Sequence, residues 1–365
     1  MAKAGNIGKD QPAQRITPTP KTTRRLTMTD VANEADCSQA TVSFVLRNAP
    51  SVKISADTRK RVIEAAIRLG YSSTKFVHQK SDANVAQSAT LAVGFIVDQL
   101  ATSPEAVIAI DAARQACWNN GQILLSGQTM HDQELEEKTV RTLVDTGISG
   151  LIYMTIFTRK IEIPACLLDL PIPVVLLNCY SQDHRLPAVI PDESIGGFRA
   201  TRHLLEHGHK RIGMITGEVW IEATRDRQKG YKRALAEENI PFDKSLIVHG
   251  NWTPSSGYAA TMQLLARKDR PTAIFCQNDR MAIGCYEALK EEGLKIPQDI
   301  SVMGYDDEEI ARHLHPPLST VNLPHRTMGA WAVEYIEANK KVRPPKNTIM
   351  RMDCALVERE SVERI

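Results

Sequence analysis

Between Leu91 and Gly304 the chain alternates short, continuous apolar runs with stretches of helical periodicity, and no other feature restricts the fold as much. In a first series the runs are Leu91 to Val97, Ile123 to Leu125, Gly150 to Met154 and Val174 to Leu177. Helical patterns separate them, one through Val107, Ile110, Ala113 and Cys117 that ends near Gly121, another from about Asp132 to Asp145. A second series opens at about Gly196 with a helix to His207, followed by Ile212 to Ile215, a helix from about Arg225 to Glu238, and Leu246 to Val248. It continues with a helix after Ser255, Ala273 to Cys276, a helix around Met281 to Glu292, and Ser301 to Gly304. Strands that are apolar throughout belong in parallel sheets covered on both faces by helices. Two series therefore predict two α/β lobes, each a doubly wound parallel sheet, with a ligand site beyond the strand carboxyl ends in the cleft between them.

Residues 27 to 47 follow a different logic, that of two short amphipathic helices around a tight turn. Thr27 or Thr29 can cap the first, which buries Val31 and Ala35 one turn apart. The turn falls at Asp36 and Cys37. Ser38 caps the second helix, in which Val42, Val45 and Leu46 face inward and Gln39, Ala40, Ser43 and Phe44 are left to the other side. A third helix runs from Ser55 to about Leu69, with Gly70 as its stop. This spacing fits a helix-turn-helix, and equally an ordinary three-helix bundle; charge favours the first. Residues 1–80 carry fourteen Lys and Arg against six Asp and Glu, net +8, whereas the remainder carries 31 against 37, net −6. A basic head on an acidic body is what phosphate contacts and counterion release require.

At 365 residues, 42% of them hydrophobic, the chain is long enough for two or three compact units. Residues 1–25, rich in Pro, Thr, Gln and Lys, are expected to form a disordered basic arm whose Arg24 and Arg25 can still touch phosphate, and the polar stretch after Ser72 a linker. No apolar run is long enough to cross a bilayer and no apolar signal segment precedes a cleavage site, so a cytoplasmic location is expected. The seven cysteines, Cys37, Cys117, Cys166, Cys179, Cys276, Cys285 and Cys354, are scattered and read as reduced core residues; no metal and no cofactor is expected. A dinucleotide-dependent enzyme is disfavoured because no Gly-x-Gly-x-x-Gly follows the first strand and no nucleophile-plus-base set stands out. A transport binding protein is disfavoured by the basic head and the missing signal segment.

With these residues in hand, the chain from about Leu26 onward resembles the lactose-repressor/galactose-repressor (LacI/GalR) family of bacterial transcription regulators. The motifs occur in order: Asp-Val-Ala at 30 to 32, Ser-x-x-Thr-Val-Ser from Ser38, Thr-Arg-x-x-Val-x-x-Ala-x-x-x-Leu-Gly-Tyr ending at Tyr71, and Gly-His-Lys-Arg-Ile-Gly at 208–213. Asn-Asp-x-Met-Ala-x-Gly at 278–284, Pro-x-Asp-Ile-Ser-Val-x-Gly-Tyr-Asp at 297–306 and Pro-Pro-Leu-Ser-Thr-Val at 316–321 complete the set. The resemblance implies a helix-turn-helix headpiece (26–71), a hinge (72–90) and a periplasmic-binding-protein-like effector and dimerisation domain (91–365). In that domain lobe one is 91–190 with 322–350, and lobe two is 191–321 with 351–365, the chain crossing near Ile190, Thr320 and Arg351. It also implies homodimers on pseudo-palindromic operator DNA; the sequence after Leu356 shows no heptad tail of the kind that makes tetramers.

Carried over residue by residue, the resemblance puts base reading on Gln39, Ala40 and Phe44, and phosphate contacts on Thr27, Ser38, Thr41, Ser43 and Ser55. Gln39 can pair bidentately with adenine, and Phe44, where Arg or His is common, can meet a thymine methyl or else pack under the turn. The hinge positions fall on Thr74, Val77 and Lys80; a charged Lys80 cannot wedge into a minor groove, although Phe76 or Val77 can, so weak or absent central kinking is expected. For the effector, the family positions are Arg227, Asn278, Asp306 and the aromatic Trp252, a donor and acceptor set suited to vicinal hydroxyls with a stacking face. Arg227 and Asp306 can alternatively form a structural ion pair. Asn178, Trp220, Asp98 and Arg225 are further candidates from loops bordering the cleft, and Asp279 reads as a helix cap. A repressor controlled by a sugar, glycoside or disaccharide is the leading expectation, the two tryptophans tilting it toward the larger ligands; a purine- or other metabolite-responsive regulator acting by corepression is the alternative.

Overall fold

The computed structural model describes residues 27–46, 54–69, 92–100, 104–340 and 349–365. The expectations for the arm with Arg24 and Arg25, for Gly70 and Tyr71, and for the hinge with Thr74, Phe76, Val77 and Lys80 lie outside these residues, as does the side chain of Leu46. The chain divides into two units, one within residues 1–88 and one within 89–365.

In the first unit three helices, α1 (Met28–Glu34), α2 (Gln39–Leu46) and α3 (Ala56–Arg68), enclose Val31, Ala32, Ala35, Val42, Val45, Val62, Ala65 and Ala66. Each helix opens on a hydroxyl cap. Thr27 and Asp30 form a reciprocal capping box, Ser38 Oγ accepts from Thr41 N at 3.1 Å, and Ser55 Oγ accepts from Thr58 N at 3.1 Å. Asp36 makes the turn with φ +47°, a left-handed conformation that Asp tolerates. Arg68 and Glu34 tie α3 to α1 at 2.9 Å.

The second unit continues with β1 (Ala92–Val97), α4 (Pro104–Asn119), β2 (Ile123–Gln128), α5 (Gln133–Asp145), β3 (Leu151–Ile161), α6 (Ala165–Leu168), β4 (Val174–Ser181), β5 (Ala188–Pro191) and α7 (Glu193–Glu206). There follow β6 (Ile212–Thr216), α8 (Glu222–Glu237), β7 (Ile247–His249), α9 (Pro254–Leu265), β8 (Ala273–Cys276), α10 (Asp279–Glu291) and β9 (Ser301–Met303). β10 (Thr320–Val321), α11 (His325–Asn339), β11 (Ile349–Met352) and β12 (Leu356–Val357) complete it. One sheet has the order β11-β5-β4-β3-β1-β2 and the other β7-β6-β8-β9; every pairing in both is parallel, and β10 with β12 adds an antiparallel ribbon. Alternate residues of β1 serve opposite faces: Val93, Phe95 and Val97 join the core under α4 and α11, whereas Ile96 joins the core that includes Val140 and Leu143 of α5. Burial on both faces is why these strands read as unbroken apolar runs.

Two departures from the periodicity matter for the cleft. β3 runs on to Ile161 through polar residues, and its register with β4 shifts between Met154 and Arg159. Side chains from neighbouring strand ends satisfy the displaced backbone there: Asp98 accepts from Ile156 N at 2.9 Å, and Asn178 Nδ2 donates to Thr155 O and Ile156 O at 3.0 and 2.8 Å. Second, α11 was not evident from periodicity; it buries His325, Met328, Gly329, Ala332, Val333 and Ile336. Arg351 and Met352 still pair with Ile190 and Pro191 in the first sheet, so the last crossing falls just beyond the expected boundary at 351.

Candidate functional site

The cleft between the lobes holds about 610 Å³ of space free of protein atoms, part of it open to solvent. Its walls come from positions where strands end and helices begin. The first lobe gives Glu105 in the first turn of α4, Phe157 and Thr158 in β3, and Asn178 in β4. The second gives Glu193 in α7, Arg227 in α8, Trp252 before α9, Asn278 and Arg280 at the start of α10, and Asp306 and Glu308 after β9. His325, at the start of α11, comes from the crossing.

Packing of α7 on α8 sets the centre of the site. At Gly197 a Cβ would stand 2.2 Å from Arg227 O, and at Gly230 one would stand 2.2 Å from Ser194 O. Only glycine allows this approach, which brings the first turn of α7 against Arg227. Glu193 then grips Arg227 with two contacts, Nε to Oε2 at 2.8 Å and Nη2 to Oε1 at 3.2 Å. Nη1 donates to Gln277 O and lies 3.5 Å from Asp306 Oδ1, and the guanidinium stacks 3.7 Å above the Tyr305 ring. The main ion pair of Arg227 is thus with Glu193, and Asp306 is a more distant partner.

Asn278 caps α10, its Oδ1 accepting from Met281 N at 2.9 Å and its Nδ2 donating to Trp252 O at 3.1 Å. This corrects the expectation for Asp279, which is the first helical residue and cannot occupy the cap. Asp279 instead accepts from Thr320 Oγ1 at 2.7 Å and Glu308 N at 2.8 Å, fully buried, and burial pushes its carboxyl up to about 8. Three residues that shape the walls have left-handed backbones: Asn178 (φ +61°), Trp252 (φ +69°) and Asp306 (φ +110°). Such conformations cost of order 1–3 kcal/mol and persist only where surroundings over-determine them. For Trp252 the surroundings include Gly217, where a Cβ would stand 1.9 Å from the indole ring. Phe157 lies across from it, with ring centroids 6.3 Å apart and planes 30° from parallel.

The acidic end of the cleft combines Glu105, Asp306 and Glu308, each offering a carboxylate oxygen within 4.8 Å of the others. Arg280 Nε holds Glu308 at 3.0 and 3.3 Å. Burial pushes Glu105 up to about 7, with Glu308 adding to the shift, and burial pushes Asp306 well above the carboxylate range despite Arg227. His325 is only 1% exposed, and burial, reinforced by Arg227, pulls its imidazole down to about 3. Among the described residues, Glu105 Oε2, Asp306 Oδ1, Trp252 Nε1 and both His325 ring nitrogens are buried without a hydrogen-bond partner. Unsatisfied buried polar atoms are uncommon in folded proteins; here five belong to residues lining one cavity.

Of the expected effector residues, Arg227, Asn278, Asp306, Trp252 and Asn178 line the cavity; Trp220, Arg225 and Asp98 do not. Trp220 is 61% exposed and stands edge-on to Phe157 at 6.2 Å. Arg225 donates to Val219 O and Trp220 O at 3.2 and 2.8 Å, closing a loop, while Asp98 braces the β3 irregularity and Arg159 at 3.1 Å. Glu105, Glu193, Arg280, Glu308 and His325 were not expected. The first-turn acids Glu105 and Glu193 carry a sequence signal indistinguishable from ordinary helix-dipole partners.

In the first unit, Thr27, Ser38, Gln39, Ala40, Phe44 and Ser55 are exposed, and Thr41 and Ser43 half-buried. Phe44 is 39% exposed and lies outside the apolar core that the three helices enclose. Ser38 and Thr41 hydroxyls share a hydrogen bond of 2.9 Å in addition to the cap.

Comparison with known proteins agrees with both units. Residues 27–73 match the model of bacterial regulatory proteins, lacI family, and residues 201–362 that of the periplasmic binding protein-like domain. The ribose operon repressor of Haemophilus influenzae is 31% identical over 92% of this chain and 98% of its own length. The HTH-type transcriptional repressor PurR of Vibrio atlanticus is 31% identical over 93% and 99%. The crystal structure of the lac repressor dimer bound to operator and the anti-inducer ONPF aligns at a TM-score of 0.67 with 27% identity, covering 93% of this chain and all of that one. With a capped helix-turn-helix in one unit and a two-lobed cleft in the other, the chain belongs to the lacI family and is a transcriptional repressor of that family.

Proposed function

We propose that this repressor binds pseudo-palindromic operator DNA as a homodimer in the cytoplasm, and that a small carbohydrate (a sugar, glycoside or disaccharide) bound between its lobes sets the affinity. The observation that carries the reading is that five buried polar atoms without a hydrogen-bond partner belong to residues lining one cavity, which Trp252 and Phe157 wall. Hydroxyls both donate and accept, so a polyol can satisfy carboxylate, imidazole and indole groups together while its apolar face lies against the aromatic rings. Binding alone does the work here; no bond is made or broken. A ligand that prefers one lobe arrangement shifts the equilibrium by about 1.4 kcal/mol for each tenfold of preference. On DNA, the exposed Gln39 and Phe44 read bases, and Thr27, Ser38, Thr41, Ser43 and Ser55 meet phosphates, with Ala40 in van der Waals contact.

A second reading, a purine or another planar metabolite acting as corepressor, is supported by the tilted Trp252 and Phe157 rings, which suit a flat base, and by the likeness to PurR. A thermal-shift screen of the purified protein against mono- and disaccharides, glycosides, nucleosides and purines separates the two. Saturable stabilisation by a sugar, lost in Asp306→Ala, supports the first; stabilisation by a purine alone replaces it with the second; no stabilisation by any of them sinks both.

A further inference from the structure

Among the described residues, carboxyl groups outnumber cationic groups around the cleft. Four carboxylates line it, Glu105, Glu193, Asp306 and Glu308, against two guanidinium groups, Arg227 and Arg280. Glu193 takes both inner contacts of Arg227, and Glu308 is held by Arg280. Glu105 has no ion pair among the described residues, and Asp306 has only the 3.5 Å approach to Arg227. Burial favours the protonated forms of Glu105 and Asp306, and a cation placed between them and Glu308 would take the place of those protons.

We propose that the effector is a cationic polyol, an amine-bearing sugar in its simplest form, whose ammonium sits among Glu105, Asp306 and Glu308. This rests on the reading of the cleft as a polyol site and names the class of ligand. An ammonium has three N–H donors and no acceptor. Three oxygens disposed tetrahedrally around one nitrogen at hydrogen-bond distance lie about 4.6 Å apart, and these three all lie within 4.8 Å of one another, close enough for one ammonium to reach them all. An independent observation comes from the crossing. His325, 99% buried, lines the same cavity with both ring nitrogens unpartnered, and a neutral imidazole accepts through one nitrogen and donates through the other. That is the complement of hydroxyls carried beside the amine, which can donate to one ring nitrogen and accept from the other. A divalent metal suits the cluster less well, because Glu308 already carries the Arg280 guanidinium and Asp306 lies next to that of Arg227.

The test is titration calorimetry of the full chain with matched pairs: glucosamine against glucose and N-acetylglucosamine, and likewise the galactose and mannose sets, with Mg²⁺ and Ca²⁺ alone as separate titrants. The expected result is that, in at least one set, the amine binds about tenfold or more tighter than both neutral forms, the size of one charge-assisted hydrogen bond. In Glu105→Gln, and separately in Glu308→Gln, that ratio falls toward one, with thermal unfolding checked to show that each variant is folded. If neutral sugars bind as tightly as their amines, the inference is overturned and the carbohydrate reading stands. Absence of binding by every sugar, neutral or amine, overturns both. Saturable binding of Mg²⁺ or Ca²⁺ alone, lost in Glu105→Gln, replaces the amine with a metal ion.

Discussion

Glu193 and Arg227 form a two-point ion pair sealed from solvent, 2.8 and 3.2 Å long, with side chains 2% and 4% exposed. Removing one partner leaves the other charge buried and unpaired. Glu193→Ala is expected to destabilise the second unit by about 3–5 kcal/mol and to abolish effector binding, as measured by urea unfolding and calorimetry. Unchanged stability would mean that Gln277 and Asp306 suffice to hold the guanidinium.

The α7–α8 contact makes the same pair sensitive to a single methyl group. In Gly230→Ala the new Cβ meets Ser194 O and Phe198 N, so the helices must separate. The expected loss is about 1–3 kcal/mol, together with weaker effector binding, because Glu193 and Arg227 sit on opposite sides of the displaced contact. Wild-type values in both measurements would refute this account of the packing.

Glu105 gives the cleft a dependence on pH whose sign is fixed. Its carboxyl ionises from 4.5 when unfolded but keeps its proton to about 7 when folded. Between those values the folded state binds more protons, so this group's contribution is fully present at the acid end and is lost as pH rises through about 7. Glu105→Gln should therefore gain stability relative to wild type as pH rises through this window, as read from the difference in urea midpoints. A constant difference across the window would show that Glu105 is not held protonated.

His325 works in the opposite direction. Its unfolded imidazole takes a proton below 6.5, whereas the folded one stays neutral down to about 3. Over that window the unfolded state binds more protons, and acidification destabilises the fold. His325→Gln, which cannot be protonated, is expected to lose less stability than wild type between pH 6.5 and about 4. Parallel pH profiles for the two proteins would show that the imidazole does not titrate in the unfolded chain alone.

On DNA, truncating Gln39 to Ala should cost about 1–3 kcal/mol at one base position. It should leave headpiece stability unchanged, since Gln39 is exposed. Ser38→Ala combines a lost helix cap, about 1 kcal/mol, with a lost phosphate contact, and weakens binding across sequences. Anisotropy titrations on operators selected from random duplexes separate these signatures; uniform weakening by Gln39→Ala would remove it from base reading.

What the sequence determined by itself is mostly local. Helix caps at Thr27, Ser38 and Ser55 and the unbroken apolar strands were legible because hydroxyl capping and burial on both faces leave patterns within a few residues. Ordered motifs further pointed to the family, and with it to Arg227, Asn278, Trp252 and Asp306, which the structure brings to one cavity. Glu105 and Glu193 were hidden because an acid in a helix's first turn looks the same whether it faces water or a cleft; only the crossings of the chain and the approach of α7 to α8 decide which. His325 was hidden because apolar Ala330, Trp331 and Tyr335, outside the fully buried face, blur the stripe of α11, and the cap expected on Asp279 falls on Asn278 because the point where the backbone turns into the helix decides which residue precedes it. Asp98, Trp220 and Arg225 border the site without lining it, since a loop's neighbourhood can be inferred from topology but the direction of its side chains cannot. Local periodicity is written in the chain because it depends on neighbours a few residues apart; the site unites residues separated by more than 200 positions, from Glu105 to His325, and depends on tertiary packing.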